Sequence, residues 1–278
     1  FPLYVPEDCK TLEEAVKRVE QDSRITTIVL GKGDHQIDGI YLEILSAMRI
    51  VGRPDVPKEK IVVMGGVRLA KKIEGTCHLQ HLTLRQAKKS GVWGRSSFTM
   101  DDVLVEQCGE GGVFACGTGV VGRCTNVEVR LCARTGVFAN SGASITLIGA
   151  KTTVHHNCLN GRSDFYGLAL YGPNSTLQLV SPLTKERVAV DNGGGGNWGA
   201  EYGGDLYQIK TIAATAASSS SSSSSVPCGE TKSNHASSTR RDDLLRLPDH
   251  VITTKVFTYF GFKDFALASC AAQYLQAH

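Results

Sequence analysis

Residues 82–93 read LTLRQAKKSGVW, residues 103–114 VLVEQCGEGGVF and residues 127–138 VEVRLCARTGVF. The triplets Ile61-Val62-Val63, Leu82-Thr83-Leu84, Val103-Leu104-Val105 and Val127-Glu128-Val129 begin 21, 21 and 24 residues apart. A second set, Gly91-Val92-Trp93, Gly112-Val113-Phe114 and Gly136-Val137-Phe138, keeps the same intervals of 21 and 24. Two registers sharing one period in the low twenties, built from short strands broken by glycine and small polar residues, predict a parallel β-helix of about eight short rungs. The leucine-rich repeat has a similar length but needs an L-x-x-L-x-L-x-x-N frame, which is absent. Because side chains alternate along a strand, Val103, Val105, Val127 and Val129 are expected to share the inward face.

The rest of the chain is read outward from this repeat. Thr11-Leu12-Glu13-Glu14 has capping-box spacing, and Leu12, Ala15, Val16 and Val19 then mark one face of a short helix suited to capping the coil. A strand over 25–30 follows, closed by Gly31-Lys32-Gly33. After Cys158 the pattern loosens at an insertion over 160–164, then resumes at 167–170, 176–179 and 187–190, and 206–212 supplies the last strand. The run Gly193-Gly194-Gly195-Gly196 lacks the lysine and Ser/Thr of a phosphate-binding loop and reads as a plain loop. A serine-rich linker and a second apolar, helical segment complete the chain. The expected organisation is 1–23 N-terminal segment and cap helix, 24–212 β-helix, 213–243 linker and 244–278 helical module.

Composition narrows the function. The chain has 278 residues, 41% hydrophobic and 21% charged, and 30 basic against 27 acidic residues leave a net charge of +3. That balance steers toward neither nucleic acid nor anionic membrane, and no apolar run approaches the roughly 18 residues of a membrane span. Nine cysteines form no CxxC pair or zinc-spaced cluster, so reduced thiols, no metal and no cofactor are expected. Cys108 and Cys132 share the repeat register and Cys158 lies one residue off it, which predicts a buried stack of small apolar side chains.

Chemistry on such a coil must come from side chains stacked on successive rungs. Arg85, Glu106 and Arg130 follow their rungs' apolar residues at one offset, so they are expected to stack outward, with His155 or His156 extending the strip. One reading is a polyuronate site, with Arg85 and Arg130 on carboxylates and Glu106 or His155 as base. The other, which we favour, is a solvated charge ladder, since a lone Glu106 gives neither an acid–base pair nor a calcium cage. Asp101-Asp102 is set aside because neighbouring strand residues point to opposite faces. Trp93, Phe114 and Phe138 also share a register; facing outward they would suit sugar rings or a peptide, facing inward they are core.

The helix, Ile28-Val29-Leu30-Gly31, Met48-Arg49-Ile50-Val51-Gly52 and the rungs together resemble the right-handed parallel β-helix proteins of the pectate-lyase-like superfamily, over residues 11–212. The fold class this implies is all-β, a right-handed parallel β-helix with an N-terminal cap helix. In the tail, Leu247-Pro248-Asp249 followed by Val251, Val256-Phe257, Phe260, Lys263-Asp264-Phe265 and Ala268-Ser269-Cys270 resembles an F-box. F-boxes bind the Skp-type adaptor of cullin-RING ubiquitin ligases. The resemblance therefore implies adaptor contacts at Leu247, Pro248, Val251, Val256, Phe257, Phe260 and Phe265, while reduced thiols point to a cytoplasmic or nuclear place of work. The expected function is a substrate receptor whose β-helix holds a protein or glycan. A polysaccharide lyase or hydrolase and a plain structural β-helix are the alternatives.

Overall fold

A computed structural model describes residues 1–214, so most of the expected linker and the whole of 244–278 lie outside the described residues. The described residues form a parallel β-solenoid. Each strand is too short to bury a face alone, and it is stabilised by pairing in register with the strand one repeat earlier and one repeat later. Leu82, Thr83, Leu84 and Arg85 pair with Val103, Leu104, Val105 and Glu106, and Val105 and Glu106 pair in turn with Val129 and Arg130. This is the register that the intervals of 21 and 24 imply.

Three sheets run the length of the coil. The first stacks nine strands: Leu3–Val5, Thr27–Leu30, Arg49–Gly52, the opening parts of Cys77–Arg85 and Phe98–Glu106, then Val121–Thr125, Ser144–Ile148, Thr176–Val180 and Ile209–Ile212. The second carries the triplet repeat and runs from the start of Gly33–Ile44 to Ala189–Val190. The third carries the Gly-Val-aromatic repeat and ends at Trp198–Glu201. The two registers seen in the sequence are the second and third sheets.

The chain turns between the first and second sheets on a single residue in the left-handed region, His81, Asp102 or Asn126, each with φ of 52°. Between the second and third it turns on Gln86, Gln107, Leu131, His156 and Asp191, with φ between 52° and 57°. One such residue redirects a strand without a loop, and stacking fixes it on successive coils. The recurring glycine of the third sheet answers a different need. A Cβ on Gly112 would lie 2.2 Å from Val129 Cγ1 and 2.6 Å from the Gly136 carbonyl oxygen, and one on Gly136 would meet Val154 and Gly167 in the same way. Glycine repeats there because neighbouring coils approach too closely for a side chain.

Val103, Val105, Val127 and Val129 all lie in the core, at 2% exposure or less. Beside them runs a corner stack of Ala87, Cys108, Cys132, Asn157 and Asn192. Asn157 Oδ1 accepts from Cys132 N at 3.1 Å, and its Nδ2 donates to Val129 O at 3.0 Å. Asn192 repeats the pattern on Asn157 N and Val154 O. The residue that continues the cysteine register is thus Asn157, three beyond Val154, and not Cys158. Cys158 is buried elsewhere, against the loop at Gly194. Its thiol and that of Cys124 are pushed up to about 12 by burial, and Cys108 is raised by its hydrogen bond with Cys132 and by burial. Neutral thiols packed in this way behave as small apolar groups.

Several boundaries differ from expectation; the last strand, read over 206–212, is a 3-10 turn at Leu206–Gln208 and a strand only at Ile209–Ile212. The helix Leu12–Gln21 forms as read, with Thr11 accepting from Glu14 N and Leu12, Ala15, Val16 and Val19 buried. It follows a strand already in the sheet, since Leu3, Tyr4 and Val5 pair with Ile28, Val29 and Leu30. Near the other end, Lys185–Val188 is a short helical turn, so the rung read over 187–190 is reduced to Ala189–Val190. Val127→Asp is expected to lower the unfolding free energy by about 3 kcal/mol or more, because it buries an unpartnered charge. Denaturant titration reads this directly, and a loss below about 1 kcal/mol would show that the inward valine row does not hold the coil together.

Candidate functional site

The outward face of the second sheet brings Arg85, Glu106, Arg130 and His155 into one row, each in register with the next. Arg85 Nε donates to Glu106 Oε1 at 2.6 Å, and Arg130 Nε donates to Oε2 at 2.9 Å. Glu106 is only 5% exposed. Burial by itself would raise its carboxyl pKa, but the hydrogen bonds from Arg85 and Arg130 outweigh it and hold the group below the usual carboxylate range. For Arg130, desolvation is outweighed by Glu106 and Glu128, so its guanidinium is held more firmly charged.

The row then continues sideways. Arg130 Nη1 donates to Glu128 Oε1 at 2.8 Å, and His155 Nε2 lies 3.2 Å from the same oxygen. His155 Nδ1 faces His156 Nδ1 at 2.8 Å. A single tautomer set satisfies the neutral pair: His155 donates from Nε2 to Glu128 and accepts at Nδ1 from His156. Both Glu106 oxygens are thus committed to guanidinium groups, and Glu128 is shared by Arg130 and His155. A general base needs a lone pair facing substrate, and this row presents none from Glu106.

Beside the row lies a polar hollow of about 330 Å³ lined by Pro57, Lys58, Glu59, His81, Asp102, Asn126, Glu128 and Lys151. The 3-10 turn Lys58–Lys60 forms its lip, pinned where Thr83 Oγ1 donates to Lys58 O at 2.9 Å. Asp102 takes Lys58 Nζ on one oxygen and His81 Nδ1 on the other, both at 2.7 Å, while His81 Nε2 lies 2.8 Å from Val56 O. Burial tends to raise the Asp102 pKa, but Lys58 and His81 overcome it and leave the group lowered. Asp101 and Asp102 are both partly exposed, because the left-handed corner at Asp102 interrupts the alternation that would send them to opposite faces. The residues immediately before the triplets, His81, Asp102 and Asn126, are the sequence signal for this corner.

The aromatic row fits neither of its two expected placements. Trp93 and Phe114 stack at 6.0 Å between ring centroids and Phe114 and Phe138 at 4.1 Å, with Tyr41 and Tyr171 continuing the row. Val92, Val113 and Val137 beside them point into the core, so the rings stand on the outward side. Yet Trp93, Phe114 and Phe138 are 6%, 1% and 9% exposed, which leaves no ring face open to a sugar.

Among the described residues no cluster of three or more His, Cys, Asp or Glu could hold a metal, and no helix is long and apolar enough to cross a membrane. The expected adaptor contacts at Leu247, Pro248, Val251, Val256, Phe257, Phe260 and Phe265 lie outside the described residues.

Removing the shared carboxylate leaves two guanidinium groups side by side, so Glu106→Ala is expected to cost about 3 kcal/mol. The pH dependence has a definite sign. Because the folded Glu106 carboxyl lies below its unfolded value of 4.5, its contribution is complete above that value and is lost as pH falls through the lower folded one. Stability measured from pH 6 downward is expected to fall more steeply for the natural chain than for Glu106→Gln; equal slopes would show that the row is not a stabilising network. No family model matches this chain, and no curated protein or solved structure was found similar to it.

Proposed function

We propose that this chain is a non-catalytic substrate receptor. The β-solenoid, of the right-handed pectate-lyase-like kind, presents a side to a protein or glycan, and the F-box-like segment 244–278 docks on the Skp-type adaptor of a cullin-RING ubiquitin ligase in the cytoplasm or nucleus. The observation that carries the non-catalytic half is the closure of Glu106 by Arg85 and Arg130 at 2.6 and 2.9 Å. The row that a polysaccharide lyase would use already satisfies its own charges. The adaptor half rests on the order of residues from Leu247 to Cys270 in the sequence. A segment of some 35 residues carrying this many aromatic and aliphatic side chains is too short to bury them by itself, so it needs a partner.

Co-precipitation of the full chain with a Skp-type adaptor tests the second half. Phe257→Ala is expected to weaken binding by about 2 kcal/mol, roughly thirtyfold, as for a central aromatic anchor, whereas Lys255→Ala changes it little. A natural chain that captures no adaptor would end the ubiquitin-ligase reading. For the first half, purified protein incubated with polyuronate, with and without calcium, is expected to release no unsaturated product. Release that disappears in Glu106→Ala would make the chain a lyase acting through Arg85, Glu106, Arg130 and His155.

A further inference from the structure

The outward face of the first sheet carries cations that are not closed on carboxylates. Arg49, Arg123 and Lys210 are exposed and lie in one row running along the coil axis. His78 and Thr99 stand between Arg49 and Arg123, and Thr146 and Gln178 stand between Arg123 and Lys210, each in register with the next. No described carboxylate pairs with any of the three cations; Lys210 Nζ donates only to Gln208 Oε1, at 2.9 Å. Among the described residues Asp101 is the single carboxylate on the face, so the surface is basic.

The spacing is regular. Successive cations are three strands apart, and strands lie about 4.8 Å apart, so the charges recur about every 14 Å. An extended polypeptide advances about 3.4 Å per residue and returns each side chain to the same face every second residue. Four residues of extended chain cover about 14 Å and bring the side chain back to the sheet. The positions two residues on would fall between the cations, over His78 and Thr99 in one gap and over Thr146 and Gln178 in the other.

We propose that this face binds an extended acidic segment of a partner protein, laid across the strands along the coil axis, with acidic residues at every fourth position. Other linear anions match less well. A nucleic acid duplex carries a charge every 3.4 Å or so on each strand, several times denser than these cations. A polyuronate or heparin carries anionic groups on each ring or pair of rings, again more closely spaced than these cations. The inference deepens the receptor reading by naming the ligand of its solenoid, and it does not depend on the adaptor.

The test uses the full chain and two fluorescent nine-residue peptides of identical composition, made of glutamate, serine and threonine. One carries glutamate at its first, fifth and ninth positions, the other at its first, fourth and seventh. The first is expected to bind more tightly, to weaken as salt is raised, and to lose roughly tenfold in affinity when Arg49, Arg123 and Lys210 are all changed to Gln. Those side chains are exposed, and an unchanged circular dichroism spectrum and unfolding midpoint certify the variant as folded. Equal binding of the two peptides, binding that the triple variant retains, or tighter binding of a heparin hexasaccharide overturns the proposal. Adaptor capture is scored separately, so loss of peptide binding with capture intact refutes this surface alone, and the converse refutes the adaptor half of the receptor reading.

Discussion

Every feature of the described coil depends on parallel stacking in register, in which each inner strand receives its backbone partners from the coil before and the coil after. Gly112 N donates to Gly136 O at 3.1 Å, Val113 N to the same oxygen at 2.9 Å, and Val137 N to Gly167 O at 2.8 Å. A slip of one residue would turn every inward valine to solvent, so the register is held as firmly as the core itself. It also dictates which side chains meet, because a given position of one coil always faces the same position of the next.

That constraint explains why the stacks take the forms they do. Like side chains can be stacked when they are apolar, as in the valine row, or when they can hydrogen-bond in series, as Asn157 and Asn192 do. Rings can stack too, nearly parallel between Phe114 and Phe138 and edge to face between Phe138 and Tyr171. Charges can be stacked only in alternation, because like charges on directly adjacent strands repel. Arg85, Glu106 and Arg130 obey this rule, and their alternation is what consumes them. A row of charges that neutralises itself stiffens the coil and leaves little potential for a ligand, whereas a row in which cations are separated by side chains other than carboxylates keeps its field. The second sheet is of the first kind and the first sheet of the second.

The hollow beside the second sheet follows from the same geometry at a corner. His81 and Asp102 occupy equivalent left-handed positions one coil apart, which brings an imidazole to a carboxylate without any loop to carry either. Lys58 completes the group from the turn over 58–60, pinned to the same sheet through Thr83. The arrangement is rigid and its members are bonded to one another, so it reads as a brace for the corner.

The sequence by itself determined the period, the inward valines, the helix over 12–21 and the offset that aligns Arg85, Glu106 and Arg130. All of these are matters of spacing along one chain, and periodic stacking converts spacing directly into contact. Tertiary structure alone decided the rest. The strands at 77–80, 98–101, 121–125 and 144–148 carry polar outward residues, and the third has Gly122 within it, so their apolar signal is too thin to be read until neighbouring coils pair with them. Asn157 took the place expected for a cysteine because a corner stack selects position, and hydrogen bonding to Val129 O and Cys132 N suits a buried amide there as well as packing suits a thiol. The aromatic row ended outward and yet buried, since alternation fixes the side of the sheet on which a ring stands but says nothing of what lies over it. Whether a charge is free or neutralised was likewise settled only by the neighbours that the fold supplied.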